Sequence, residues 1–255
     1  MVKTRPVRLL EAVRAFGLTF GASIALTAAA AAGVVAVARA ALSGRRPSPL
    51  ALLGTVATTL YALVIRPWHL RWGAEPGDEE RQLPGDELLP QGGKQILHAV
   101  TINAPVEEVW PWLAQLGQDR GGFYSYEWLE NLAGCEMKNA DRVHTEWQHR
   151  ELGEIVHLHP AGGLRVSVFE PGRALGLEGW GTFALEPLAA DRTRLIAGSV
   201  PRGAAAASYV ALMEIPHFLM ERKMLLGIKE RAERSHTAAL RRSLQSGSTE
   251  ELAHA

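Results

Sequence analysis

Two stretches without a charged side chain, Phe16 to Ala38 and Pro47 to Ile65, lie near the start of the chain and are 23 and 19 residues long. As helices rising ~1.5 Å per residue, each reaches roughly the ~30 Å thickness of a hydrocarbon core. Neither has a polar face to turn to water, which argues against a pair of surface helices in a soluble fold. Residues 39–46 between them are too few to hold a domain. The expectation is a transmembrane hairpin, with spans at about 16–38 and 47–65 and both outer ends on one side. Lys3, Arg5, Arg8, Arg14, Arg66 and Arg71 flank the hairpin, against Arg39, Arg45 and Arg46 in its loop. That six-to-three bias assigns the ends to the cytoplasm. A signal peptide ending at Ala36-Val37-Ala38 is the rival reading, and the apolar part is long for one.

The overall net charge of zero conceals an asymmetry: residues 1–74 hold nine Lys/Arg and one acid, so residues 75–255 carry a net charge of −8. The basic part is the one beside the membrane, where arginines meet anionic headgroups. An acidic remainder is not the footprint of a nucleic-acid binder. One cysteine, Cys135, excludes an internal disulfide framework. Residues 75–93 are rich in Gly, Pro and acid and read as a linker that spaces the domain from the bilayer. Residues 94–243 are long enough for one core. Residues 244–255 are polar and read as a disordered tail.

Within the domain, Gln95 to Ile102 reads as a strand. A helix follows, with Asn103 as its cap, Pro105 in its first turn, Glu107 and Glu108 at its positive end, and Val106, Val109, Trp110, Leu113 and Leu116 facing inward. Pro111 predicts a kink or break there. A Gly121-Gly122 turn leads to a second helix over Ser125 to Leu132, closed by Gly134. Alternation in 155–159, 164–168, 175–177, 183–185 and 195–197, with closely spaced turns, predicts an antiparallel meander. The last element is a long helix from about Ser208 to Arg242, with Met213, His217, Met220, Met224 and Ile228 on one stripe and a bend at Pro216.

The segment APVEEVWPWLAQLGQDRGGFYSYEWLENLAGCEMKNADRVHTEWQ, Ala104 to Gln148, resembles the membrane-anchored bacterial branch of the SRPBCC superfamily (START-like, polyketide cyclase/dehydrase-related). LPGDEL at Leu83 to Leu88, FEPGRAL at Phe169 to Leu175 and HFLMERKMLLGIKERAE at His217 to Glu233 are similar too, so the resemblance covers about Leu83 to Glu233. GGFYSYEWLENL with NADR is its most specific part. It implies an α+β helix-grip fold, an antiparallel sheet wrapped around a long C-terminal helix with a cavity between them. It implies binding or carriage of a hydrophobic small molecule or lipid at a bacterial cytoplasmic membrane, or alternatively cyclase/dehydratase chemistry in the same cavity.

The residues suited to such a cavity are Trp112, Tyr124, Tyr126, Trp128, Asn139, Asp141, Trp147, Met213, His217 and Met220. Aromatics with a polar tip hold and orient an apolar guest, and methionines give it an adaptable wall. Each has a plainer reading: core packing for the tryptophans and methionines, a self-bonded loop for Asn139 and Asp141, and a core histidine partnered by Glu214 or Glu221 for His217. Asp141, His217 and Tyr126 are the acid/base groups that an enzyme would draw on. His144, His149, His157 and His159 complete no metal-ligand spacing. No phosphate loop, GxSxG elbow or HExxH is present. The expectation is a domain without metal or cofactor.

Overall fold

The structure is a computed structural model, and it describes residues 28–29, 31–78, 80–86, 96–199 and 213–253. Six antiparallel strands, β1 (Ile96–Ile102), β2 (Ile155–His159), β3 (Gly162–Glu170), β4 (Ala174–Leu177), β5 (Gly181–Ala189) and β6 (Arg192–Ser199), form one sheet in the order β1-β6-β5-β4-β3-β2. Turns of two or three residues join β2 through β6, and only antiparallel neighbours can be joined so briefly. β1 closes on β6 from the far side, Ile96 opposite Ser199 and Ile102 opposite Thr193. The chain between the two edge strands must therefore cross the sheet, and it carries α3 (Val106–Ala114) and α4 (Glu127–Leu132) on the way. A long helix, α5 (Glu214–Ala253), packs on α3 and β1.

Both faces of the sheet are apolar. Ile102, Val156, Val166, Leu175, Leu177, Phe183, Leu185, Leu195 and Ala197 turn toward α3 and α5, where Val109, Trp112, Leu113, Leu225 and Ile228 complete the main core. Leu97, Ala99, Val168, Ala174, Ala184 and Ile196 form a second cluster on the opposite face. Simple alternation puts Val166 and Val168 on one face. A register shift between them in the β3–β4 ladder reverses the parity, so Val168 joins the second cluster.

What covers that second face is the acidic segment. Leu83 packs into it. The Trp72 carbonyl accepts from the Ala99 N–H at 3.0 Å. Arg194, on β6, donates to the Gly73 carbonyl and to Asp78 Oδ2, each at 2.6 Å, and lies 3.1 Å from Glu75 Oε1. Arg81 pairs with Glu186. Residues 71–78 and 80–86 are thus a strap across the outer face, not the spacer expected from composition. The physical reason is Arg194, a cation only 3% exposed that needs buried counter-charge. Residues 87–93 of the expected linker lie outside the described residues.

Near the start, α1 (Ala31–Leu42) is followed by α2 (Pro49–Leu70), which is 22 residues long with a mean hydropathy of 1.5 and only 6% of its apolar window buried. Ser48 caps α2 by accepting the Ala51 N–H at 3.2 Å, and Pro49 occupies the first turn. The Thr55 and Thr58 hydroxyls donate to the Ala51 and Gly54 carbonyls, which satisfies both within the helix. One π turn, Tyr61–Ile65, lies within it. Among the described residues α2 is the one helix long and apolar enough to cross a membrane. Residues 16–27 and 30 of the expected first span lie outside the described residues, and the described part of α1 is shorter than a span. α1 and α2 touch at Gly33, where a Cβ would come within 3.2 Å of the Gly54 Cα.

Several expected helix ends move. The second apolar helix runs past Ile65 to Leu70, because Arg66 finds a carboxylate partner. Asn103 does not cap α3; its N–H donates to Glu233 Oε1 at 2.8 Å, and Pro105 takes the cap position. Pro111 stands inside α3 without ending it. The bond it deletes would have gone to the carbonyl of Glu107, an exposed residue that water can serve. Pro216 does not interrupt α5 either, since it falls in the first turn, where backbone N–H groups have no helical acceptor. α5 continues to Ala253 in place of a tail after Ser243.

If the strap hangs on Arg194, then Arg194→Ala takes the nearest cation from the carboxylate of Asp78, 1% exposed, and leaves it Arg81 Nε at 3.4 Å. The expected loss is about 3–5 kcal/mol, read by chemical denaturation. Trypsin should also cleave after Arg81 faster than in the parent chain.

Candidate functional site

The ten residues singled out in the sequence do not form one site. Trp112 and Tyr124 are each 1% exposed and meet edge to face at 5.8 Å between ring centroids. Tyr124 is wedged against α5 at Gly227, where a Cβ would lie 2.3 Å from the Tyr124 carbonyl oxygen. Its hydroxyl accepts from Gln115 Nε2 at 2.9 Å, and the Arg231 guanidinium stands 4.7 Å over its ring. Tyr124 has a φ of +55°, unusual for a side chain of this size. Asn139 holds it there: Oδ1 accepts the Tyr124 N–H at 2.6 Å, while Nδ2 donates to the Ser125 carbonyl at 3.2 Å. Asn139 is therefore a loop staple. Asp141 and Trp128 are exposed, Trp147 is half-buried and stacked on His144, and Tyr126 is half-buried at the start of α4. Met213, His217 and Met220 are half-buried at the head of α5.

At that head the structure assembles a cluster that sequence reading did not foresee. Glu214, Phe218 and Glu221 recur at four- and three-residue spacing and share one face of α5. The carboxylates are 3% and 2% exposed. Glu214 Oε1 accepts from Arg66 Nε at 2.9 Å and from the Tyr61 hydroxyl at 3.1 Å, and Oε2 accepts from Arg66 Nη2 at 2.8 Å. His69 Nε2 stands 3.2 Å from Oε1, off the line of a good hydrogen bond. All three partners come from α2. Glu221 is served instead by the sheet and by its own helix. Oε1 accepts from Trp180 Nε1 at 2.8 Å and lies 3.4 Å from His217 Nε2, while Oε2 meets His98 Nδ1.

His98 ties the two halves together. Its Nε2 reaches the His69 carbonyl at 2.8 Å. A carbonyl only accepts, so Nε2 donates to it, while Nδ1 faces the Glu221 carboxylate. Phe218 sits between the carboxylates, stacked on His69 at 5.2 Å and edge-on to Trp68 and His98 at 5.6 and 5.5 Å. Trp180 carries the contact deeper, stacking on Phe123 and meeting Phe183 edge-on, each at 5.7 Å.

Electrostatics follows from these partners. Burial by itself would raise the Glu214 carboxyl, but the groups of His69 and Arg66 outweigh it and hold the pKa at about 2. Burial opposes the ionised form of Glu221 as well, and His217 and then His98 overcome it, keeping the group far below the usual carboxylate range. This is a charge-balanced clamp between an apolar helix and a folded domain. It does not bring Asp141 and His217 together. Asp141 lies near Arg231, fourteen residues beyond His217, which is roughly 21 Å along a helix. Among the described residues, no three His, Cys, Asp or Glu side chains are arranged to hold a metal ion.

Of the two partner choices open to His217 in the sequence, the structure selects Glu221. The seven-residue spacing of two glutamates around a phenylalanine was visible as carboxylates interrupting an apolar stripe. Their partners on α2 and β1, more than a hundred residues away in sequence, carried no local signal.

Both glutamates ionise more readily folded than unfolded, where a carboxyl titrates near ~4.3. Their stabilisation is complete above that value and is lost as pH falls toward about 2. Thermal unfolding of the detergent-solubilised chain should therefore show a Tm that drops below about pH 4.5. Glu214→Gln should flatten that slope, and an unchanged slope would contradict the assignment.

Comparison of the chain with protein-family models, with curated proteins and with solved structures found no match.

Proposed function

We propose that this chain is a membrane-anchored binding protein whose START-like, SRPBCC-type domain holds a hydrophobic small molecule or lipid between the sheet and α5. The strand order, with the first strand beside the last and a long C-terminal helix across the inner face, supports a helix-grip fold. The apolar character and exposure of α2 support a membrane span, and its contact with α1 at Gly33 and Gly54 supports the two-span hairpin. The six-to-three excess of basic residues outside the hairpin loop favours a cytoplasmic domain at a bacterial membrane.

The observation that carries the ligand reading is Trp112. Its indole N–H is buried in the main apolar core and has no acceptor among the described residues. A buried donor left unpaired costs about 1–3 kcal/mol, and a guest with one acceptor group in an otherwise apolar body would remove that cost. The clamp at Glu214 adds the supply route, because it fixes the domain against the helix that lies in the lipid reservoir. Binding and release without covalent chemistry is the function these features favour.

Native mass spectrometry of the full chain released from nanodiscs should show a lipid or other apolar molecule bound one to one. Trp112→Phe should keep the fold and lower the bound fraction several-fold. A chain that emerges empty and takes up no lipid from vesicles would sink the proposal. Orientation is tested separately by a reporter joined after Ala255, expected to be active when it is one that works only in the cytoplasm.

A further inference from the structure

α5 serves as a ruler for the domain. Its first turn meets α2 at Glu214. Further along, Glu221 meets His98, Lys229 donates to the Thr101 carbonyl at 2.6 Å, and Glu233 accepts from Asn103, so β1 runs beside α5 away from α2. The β5–β6 turn is at the far end, since Thr193 lies opposite Ile102 and Ser199 opposite Ile96. The chain after α3 can be placed on the same scale. It touches α5 at Gly227 through Tyr124, moves toward α2 where the Ser125 hydroxyl donates to the Met220 carbonyl at 3.2 Å, and returns at Ala140, whose carbonyl accepts from Arg231 at 2.9 Å. Residues 126–138, with α4 among them, leave α5 at Met220, the contact of this segment nearest to α2. Met220 is six residues from Glu214, roughly 9 Å along the helix.

α4 turns apolar side chains outward at that end. Trp128 is 68% exposed and Leu132, one turn later, 47%. Leu219 on α5 is 48% exposed, and Trp68 at the end of α2 is 57% exposed. An exposed tryptophan paired with a leucine on a six-residue helix contributes nothing to the core, whereas tryptophan is favoured where an apolar medium meets water. The acids of α4 do not oppose this as strongly as their number implies. Glu127 accepts the Asn139 N–H at 3.0 Å. Burial, and after it the charge of Glu127, raises the Glu130 carboxyl to about 7.

We propose that α4 is a second membrane contact, in which Trp128 and Leu132, together with Leu219, insert at the boundary between headgroups and acyl chains of the bilayer that α2 crosses. The occupant is lipid because Trp68, next along α2 from the exposed Leu63, Val64 and Ile65, meets Phe218 beside Leu219, and the chain enters α4 from its contact with Met220. The attraction is apolar, so it is insensitive to salt and to anionic lipid content. Its consequence is to seat the α2-side end of the domain on the bilayer at two points, which fixes tilt as well as height. The inference rests on reading α2 as a span.

The test is site-directed spin labelling of the full chain, with Cys135→Ser, in phosphatidylcholine nanodiscs with and without phosphatidylglycerol. Single labelled cysteines replace Leu63, Trp128, Leu132 and Leu188, the last 42% exposed at the far end of the sheet. Labels at 63, 128 and 132 should collide with oxygen several-fold more than with a water-soluble nickel chelate, in both lipids and at high salt. The label at 188 should show the reverse. Labels at 128 and 132 as aqueous as the one at 188, with 63 in lipid, would overturn this contact alone. Labels shielded from both reagents would mean a protein covers α4, and would overturn it too. If 63 is also aqueous, the span and the second contact fall together.

Discussion

A carboxylate placed among aromatic rings must be matched by a cation or give up its charge. Glu214 and Glu221, both on one face of α5 around Phe218, are matched from two directions: Arg66, His69 and Tyr61 from the apolar helix, His98 and Trp180 from the sheet. His98 bridges Glu221 and the carbonyl of His69, so neither half can move without disturbing the other. The placement of the whole domain relative to α2 follows from this one interaction. A helix with 6% of its apolar window buried has little packing of its own to hold a domain, and paired charges with fixed hydrogen-bond geometry supply the direction that packing lacks.

The same rule orders the opposite face of the sheet. Arg194 points out of β6 into a layer that would otherwise be apolar and exposed, and Asp78 and Glu75 fold back to meet it. That return carries Leu83 onto Leu97, Ala99 and Ile196 and buries the second cluster. An open antiparallel sheet with two apolar faces needs a cover on each. α3 and α5 provide one, and the strap provides the other.

Much of this was legible in the chain. The meander was, because each run of alternating residues is bounded by Gly, Pro or Asp and the turns are too short for any other connection. The amphipathic face of α3, the Gly121-Gly122 turn and the stripe Met220, Met224 and Ile228 were legible for the same reason: period and punctuation are local properties. Pro111 and Asn103 misled, because the cost of a proline and the use of a cap depend on whether the affected backbone group meets water or another side chain. Trp112 and Tyr124 were read as cavity residues and Trp128 beside them, yet the first two are buried and the third is on the surface. Tyr124 is in a loop and Trp128 in a helix of only six residues, too short for periodicity to tell inside from outside.

What the sequence determined by itself is the division of the chain into apolar helices and a mixed α+β domain, since hydrophobic length and alternation need no partner to be recognised. What only the tertiary structure decided is which charges meet. Arg66 finds Glu214 at a separation of 148 residues, and Arg194 finds Asp78 at 116. A run of acids between Glu75 and Asp86 looks like a solvated spacer until the arginine that neutralises it is folded alongside. The energy of a charge is set by its surroundings in space, and those surroundings come into being only when the sheet, the strap and the two helices are brought together.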